Sequence, residues 1–420
     1  MIIRIKKILA NPIIKNVLLL FSGAGIAQAI PFIASLFLAR IYTKTDFGDL
    51  SLIMSISGIV GNVVALRYEW VVILQKKTSD AKRAMGLAFS LTFLNTLLSF
   101  VLLILLYPIL NSRLDISDYS LLCFTPIIIF CIGMYSIYDN WFNRQREYKN
   151  MASLKIIQST AVSLFRLLLG ITGITWGLIG GTVIGYIITV FACIILFLKK
   201  STLKRGYFAY KEMRKVAVSY KDYSLLATPS ALLNSASTIG LPLLIAYFYS
   251  VELAGIYFFA NNLIRLPISF LSNSTAQVFK KEAVHLVHIN QIDNLKALIR
   301  KVQRTVLLLI FPVILILSLF GDSIFSFLFG TQWSVSGALV KYFSFYLLFG
   351  VNFSIISALI DILRLQKASL LFNTSLLFSQ IIIFAICSFF MRFEYALLIN
   401  SGVGSLHFFV LNKYVKHKLK

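Results

Sequence analysis

Ala39-Arg40-Ile41-Tyr42-Thr43-Lys44-Thr45-Asp46-Phe47-Gly48-Asp49 leads into an apolar run that closes on Leu66-Arg67-Tyr68-Glu69-Trp70. The run between the two charged clusters is long enough to cross a bilayer, which takes about 20 predominantly apolar residues. Its ends therefore face water on opposite sides of a membrane. The same question then applies to every other apolar segment: which charges sit in water, and which do not.

Composition answers in the same sense. Hydrophobic residues make up 58% of the 420 and charged residues only 13%, whereas soluble domains carry roughly 25% charged residues. The chain is an all-α polytopic membrane protein. A net charge of +24 would suit nucleic acid, but the Lys and Arg cluster between apolar spans instead of along one soluble domain, so no nucleic-acid partner is expected. Cys123, Cys131, Cys193 and Cys387 all fall in apolar segments without CxxC spacing. They read as small hydrophobes, with no disulfide and no metal site.

Hydropathy places about 12 transmembrane helices, at Asn16–Ile41, Phe47–Leu66, Ala84–Leu110, Tyr119–Asp139, Ser153–Ile174, Trp176–Leu198, Tyr223–Phe248, Glu252–Phe279, Thr305–Phe329, Ala338–Ile360, Ser369–Phe390 and Tyr395–Tyr414. The basic start and Ala27-Gln28-Ala29 imitate a secretory signal, but the apolar pattern runs on to Ala39 and reads as an uncleaved first helix. With the N-terminus inside, the inside segments hold 33 Lys and Arg and the outside ones four, Arg40, Lys44, Arg113 and Arg392. Positive charge marks the cytoplasmic side, so both termini are expected in the cytoplasm. Three basic residues belong to no loop: Arg166, Arg265 and Lys341.

The basic stretch 199–222 divides the chain into two six-helix bundles, 1–198 and 223–420, expected around a central cavity. Asp46-Phe47-Gly48-Asp49-Leu50 aligns with Glu252-Leu253-Ala254-Gly255-Ile256 at an offset of 206. Each would open the second helix of its half, and repeated halves with a substrate site between them are a common transporter plan. Pro31, Pro126, Pro229, Pro242, Pro267 and Pro312 lie inside proposed spans, where proline either kinks a helix or is simply tolerated.

Arg166 stands thirteen residues beyond Ser153, roughly 20 Å along the helix at 1.5 Å per residue. Arg265 is as far beyond Glu252, while Lys341 near the outer end of its span can reach water. An arginine at helix centre costs about 2.5–3.5 kcal/mol on insertion scales. No acidic residue falls at mid-span. Deep cations without deep anions point to a hydrated cationic cavity whose counter-ion is the substrate, the alternative being that each guanidinium snorkels or bonds backbone carbonyls. Arg67-Tyr68-Glu69-Trp70 is followed by a further apolar run, so it is a membrane-level break or an interfacial segment. Arg67 and Glu69 can pair there with each other or with neighbouring helices, and Tyr68 and Trp70 suit the headgroup zone; the segment is either an anchor or part of an entrance gate.

No P-loop, GxSxG or HExxH occurs, and His285, His288, His407 and His417 have no acidic partners at one depth. The chain is expected to be no enzyme and to need no cofactor.

The ordered series of short motifs resembles the bacterial oligosaccharide flippases of the O-antigen translocase type. It comprises Phe32-Ile33-Ala34-Ser35-Leu36-Phe37-Leu38-Ala39-Arg40-Ile41-Tyr42-Thr43, Asp46-Phe47-Gly48, Leu66-Arg67-Tyr68-Glu69, Trp141-Phe142-Asn143-Arg144, Lys155-Ile156-Ile157-Gln158-Ser159, Pro229-Ser230-Ala231-Leu232-Leu233-Asn234, Leu266-Pro267-Ile268-Ser269, Gln277-Val278-Phe279 and Phe329-Gly330-Thr331-Gln332-Trp333. The resemblance covers nearly the whole chain, and its specificity lies in the order of the motifs. It implies a two-lobed transporter of the bacterial inner membrane, related to multidrug and lipid-linked oligosaccharide exporters. The implied cargo is a polyprenyl-pyrophosphate-linked sugar repeat unit, moved to the periplasmic leaflet by alternating access.

Membrane lipids and other polysaccharide-assembly proteins are the further partners this implies. A pyrophosphate is an anion that Arg166, Arg265, Lys341, Arg40 and Arg67 can contact, with Tyr68, Glu69 and Trp70 shaping the entrance. Arg166 stands where the pattern often has glutamine, and Arg265 a few residues from its usual basic position, so their roles rest on depth and charge alone. A cation-coupled multidrug exporter is the alternative on the same fold, and a membrane polysaccharide polymerase is a third reading.

Overall fold

The computed structural model describes residues 12–114, 120–289, 291–363 and 365–419. The basic start at residues 1–11 and residues 115–118 of the expected outside loop lie outside them. The described residues are helical, without a strand. Lipid offers backbone amides no other partner, so an apolar run that enters a bilayer closes its hydrogen bonds internally. The helices are α1 (Pro12–Ile41), α2 (Lys44–Gly61), α3 (Tyr68–Leu74), α4 (Thr78–Leu114), α5 (Ser120–Arg144), α6 (Tyr148–Ile171), α7 (Gly177–Leu198), α8 (Tyr210–Ser219), α9 (Lys221–Ile239), α10 (Leu241–Phe248), α11 (Val251–His288), α12 (Ile292–Phe329), α13 (Ser334–Ile356), α14 (Ala358–Ile362), α15 (Gln366–Phe390) and α16 (Phe393–His417).

Each of the twelve expected spans coincides with a helix or a helix pair. By length and hydropathy, eight helices among the described residues can cross a membrane, or nine if Ser224–Ile239 and Leu241–Phe248, bent by 56°, form one broken span. The count of twelve is therefore not reached on this criterion. The bend falls where Gly240 precedes Leu241-Pro242, and Pro242 stands in the first turn of α10, where its missing N–H costs nothing. Helix α2 stops at Gly61, five residues before the expected end at Leu66; residues 62–67 form tight turns instead.

The chain divides into two compact units. The first comprises Met1–Tyr42 and Leu52–Ser235. In its core Val71 and Val72 of α3 pack with Met85 and Ala88 of α4, Trp141 and Phe142 of α5, Phe197 of α7 and Val216 of α8. Trp141 and Phe197 meet edge to face with centroids 5.4 Å apart. Helices α6 and α7 lie backbone to backbone at Gly181, where a Cβ would stand 2.6 Å from the Cα of Arg166. Small residues permit such crossings in membranes, where dispersion contacts rather than water exclusion hold helices together.

The second unit comprises Thr43–Ser51 and Ala236–Lys420. Thr43 caps α2 through a reciprocal pair: its N–H donates to the Asp46 carboxylate at 2.7 Å, and its hydroxyl accepts the Asp46 N–H at 3.2 Å. Gly48 and Gly255 face each other where α2 crosses α11; a Cβ on Gly48 would lie 2.7 Å from Val251 Cγ1. Lys44 pairs with Glu252 across that crossing at 3.3 Å. Beneath it the fully buried Trp333 lies over Phe259, centroids 4.0 Å apart, and meets the Phe47 edge at 5.0 Å.

Candidate functional site

The structure gathers Arg67, Tyr68, Glu69 and Trp70 into one cluster of the first unit. Leu66 and Arg67 both adopt left-handed backbone, φ 50° and 63°, a conformation that costs a non-glycine residue roughly 1–2 kcal/mol. The turn holds because its polar groups are tied down. Ser224 Oγ donates to the Leu66 carbonyl at 2.7 Å, and the Tyr68 hydroxyl donates to the Ala217 carbonyl at 2.9 Å. This reversal re-aims the chain into α3 and buries Glu69, which is 3% exposed, while Trp70 stays at the surface.

Glu69 Oε1 lies 3.7 Å from Arg67 Nη1, whose guanidinium stands 5.3 Å over the Trp70 ring. Glu69 Oε2 is buried and accepts no hydrogen bond among the described residues. Burial pushes this carboxyl up to about 7; a hydrogen bond from its own backbone N–H and the Arg67 charge pull the other way and are outweighed. The cluster thus holds a carboxyl that changes charge near neutral pH.

Arg166 lies five residues before the end of α6 and is half-buried. Its Nε donates to Thr182 Oγ1 of α7 at 2.9 Å, and its carbonyl accepts from the Tyr42 hydroxyl at 2.8 Å. No carboxylate among the described residues pairs with it. Further polar groups lie near it: Tyr186 is within electrostatic range of Arg166 and of Tyr135, and Tyr135 of Asp139. Sequence reasoning placed Asp139 at a helix end, but α5 runs on to Arg144. One of its oxygens is buried without a hydrogen-bond partner among the described residues. An apolar run that stops at the first charge was the misleading signal; Tyr135 and Tyr138, one turn and one residue before Asp139 on the same helix, were the available one.

In the second unit Arg265 is half-buried on α11. Its Nε donates to Asn261 Oδ1 one turn earlier at 3.0 Å, and Tyr257 and Tyr346 lie within its electrostatic reach. It too has no carboxylate partner among the described residues. Lys341 is exposed, 5.1 Å over the ring of its neighbour Tyr342. Arg40, at the end of α1 in the first unit, is exposed and donates to the Leu36 carbonyl at 3.3 Å. No hydrogen bond or ion pair among the described residues joins Arg166 to the Arg67 cluster. Among the described residues no three His, Cys, Asp or Glu side chains converge as a metal site would require.

Residues 37–338 match the family described as polysaccharide biosynthesis protein. Among solved structures the chain is similar to the lipid II flippase MurJ in an inward closed conformation, with a TM-score of 0.72 at 16% identity over 94% of this chain and 87% of that one. It is also similar to a multidrug resistance MATE family transporter of the MOP superfamily, inward-facing, with a TM-score of 0.62 at 11% identity over 95% and 94%. A MOP superfamily transporter from Pyrococcus furiosus, described as having a binding pocket of reversed polarity, gives 0.56 at 12% identity over 96% of both chains. No curated protein matches.

Proposed function

We infer, from the premise that this chain belongs to the polysaccharide biosynthesis protein family, that it flips a polyprenyl-pyrophosphate-linked oligosaccharide repeat unit. The chain is a multi-pass membrane protein with a transporter fold, not an enzyme. On this reading it lies in the bacterial inner membrane with twelve spans and both termini in the cytoplasm. Two six-helix halves, 1–198 and 223–420, pass O-antigen or a similar surface polysaccharide unit to the periplasmic leaflet by alternating access. Other polysaccharide-assembly proteins take over the cargo.

The observation that carries the reading is the pair of half-buried guanidiniums, Arg166 and Arg265, each bonded only to neutral oxygens among the described residues. A guanidinium removed from bulk water and left without a carboxylate is a ready partner for phosphate oxygens, which it grips in bidentate fashion. Arg40, Lys341 and Arg67 add positive charge along the route, and Tyr68, Glu69 and Trp70 form its entrance. The likeness to MATE transporters, together with the buried oxygen of Asp139, supports a second reading, a cation-coupled multidrug exporter.

Deleting the gene should leave lipid-linked repeat units inaccessible to periplasmic enzymes. Arg166→Glu and Arg265→Glu should each abolish export at unchanged abundance in the membrane. Normal export in both variants would remove the guanidiniums from the mechanism, and a null strain that still delivers repeat units would overturn the flippase reading altogether.

A further inference from the structure

Residues 199–221 carry eight Lys and Arg against a single acid, Glu212. Positive charge on a loop sets membrane orientation, but it does not explain the arrangement found on α8. This helix has two used faces. Met213, Val216, Ala217 and Tyr220 pack into the core of the first unit, and the Tyr68 hydroxyl holds the Ala217 carbonyl. The exposed side carries Tyr210, Arg214 and Val218 one turn apart with Lys211 beside them. All four are exposed, Tyr210 by 75% and Val218 by 57%. Lys215 is held by Glu212 at 3.1 Å, and Glu212 is also held by Arg83 at 2.7 Å. Lys211 and Arg214 have no carboxylate partner among the described residues.

The depth of this face follows from α4. At 37 residues it is about 55 Å long, against a hydrocarbon core of about 30 Å, and the charges Asp80, Lys82 and Arg83 put its first turns outside the lipid tails. Arg83 is the last charge before the apolar run. The linker touches α4 just beyond it: the Tyr207 carbonyl lies over Gly86, where a Cβ would be 2.6 Å away, and Met213 Sδ lies 3.4 Å from Ser90 Oγ. Those contacts are three and seven residues past Arg83, roughly 5 and 10 Å along the helix. An amphipathic helix pinned there presents an aromatic ring, an aliphatic side chain and two cations outside any ion pair among the described residues at headgroup level, the composition of an interfacial helix.

We propose that the outer face of α8 is a docking surface for anionic phospholipid headgroups of the adjacent leaflet, with Lys211 and Arg214 holding the phosphates and Tyr210 and Val218 seated at the acyl boundary. The complementarity is of charge and of depth, and it holds whatever cargo the protein carries.

The test is hydrogen exchange of the Tyr210–Ser219 amides in the full-length protein. It compares nanodiscs of phosphatidylcholine alone with discs of equal parts phosphatidylcholine and phosphatidylglycerol. Each cation engaged near an anionic surface is worth about fivefold, so exchange should slow by about 25-fold in the anionic discs. The slowing should vanish in the Lys211→Gln/Arg214→Gln variant and in about 1 M salt, where screening acts within about 3 Å. Equal exchange in the two discs would overturn the proposal, as would slowing of full size in the double variant. If inorganic pyrophosphate added to phosphatidylcholine discs slows exchange as much as phosphatidylglycerol does, the face is a soluble phosphoanion site and the leaflet assignment fails.

Discussion

Replacing Glu69 by Gln should make the protein more stable above neutral pH and leave it unchanged in acid. The carboxyl sits at about 7 in the folded chain against 4.5 for an exposed glutamate. The folded state therefore binds this proton more tightly than the unfolded state does. Below pH 4.5 both states keep the proton and the group contributes nothing to the balance. Between 4.5 and 7 the unfolded chain releases it first, so stability falls as pH rises, and above 7 the full cost is present. At 1.36 kcal/mol per unit, the interval from 4.5 to about 7 amounts to about 3 kcal/mol. That figure is already net of the attraction from Arg67. Glutamine keeps the shape, carries no charge and can donate to a neighbouring carbonyl. Unfolding midpoints of purified protein, followed by intrinsic fluorescence from pH 5 to 8.5, should fall with pH in the parent and stay level in Glu69→Gln relative to it. Parallel profiles would refute the assignment of a neutral buried carboxyl at this position.

Two further outcomes concern packing and backbone. Arg146 is exposed at φ 57° in the turn between α5 and α6. Arg146→Gly should raise stability by about 1 kcal/mol by releasing left-handed strain, seen as a higher unfolding midpoint; an unchanged or lower midpoint would mean that the turn stores no such strain. Trp333→Ala empties the fully buried site between Phe259 and Phe47 and should cost about 3–5 kcal/mol, read as lost yield of folded protein in detergent. Trp333→Phe should recover much of that loss.

Hydropathy made most of the helices legible because a bilayer-spanning segment has to be apolar along its length. It fails where charge and helix part company. Helix α12 begins at Ile292, thirteen residues before the apolar run at Thr305, because its amphipathic first turns remain helical in water against the rest of the unit. The end of α2 is invisible for a different reason: Leu66 and Arg67 take left-handed backbone, and neither residue type signals it. Of the site, the residue types and the pairing of Arg67 with Glu69 could be read from spacing. The burial of Glu69 could not, since it depends on Ser224 and Ala217, roughly 150 residues away. Arg166 shows the same limit: its partner Thr182 lies across the α6–α7 hairpin, and no period within one helix brings the two together.

The crossing of α2 with α11 sets a schedule for biosynthesis. Thr43–Ser51 belong to the second unit although the chain on either side of them belongs to the first. Lys44 finds Glu252 only after another 208 residues have been made. At about 5–20 residues per second the ribosome needs on the order of 10–40 s to supply them. Through that interval Gly48 lacks the Val251 and Gly255 it packs against, and Phe47 lacks Phe259 and Trp333. A nascent chain paused near residue 235 is therefore the species in which membrane chaperones would find an open glycine notch, and a chain cut there would leave that notch unfilled.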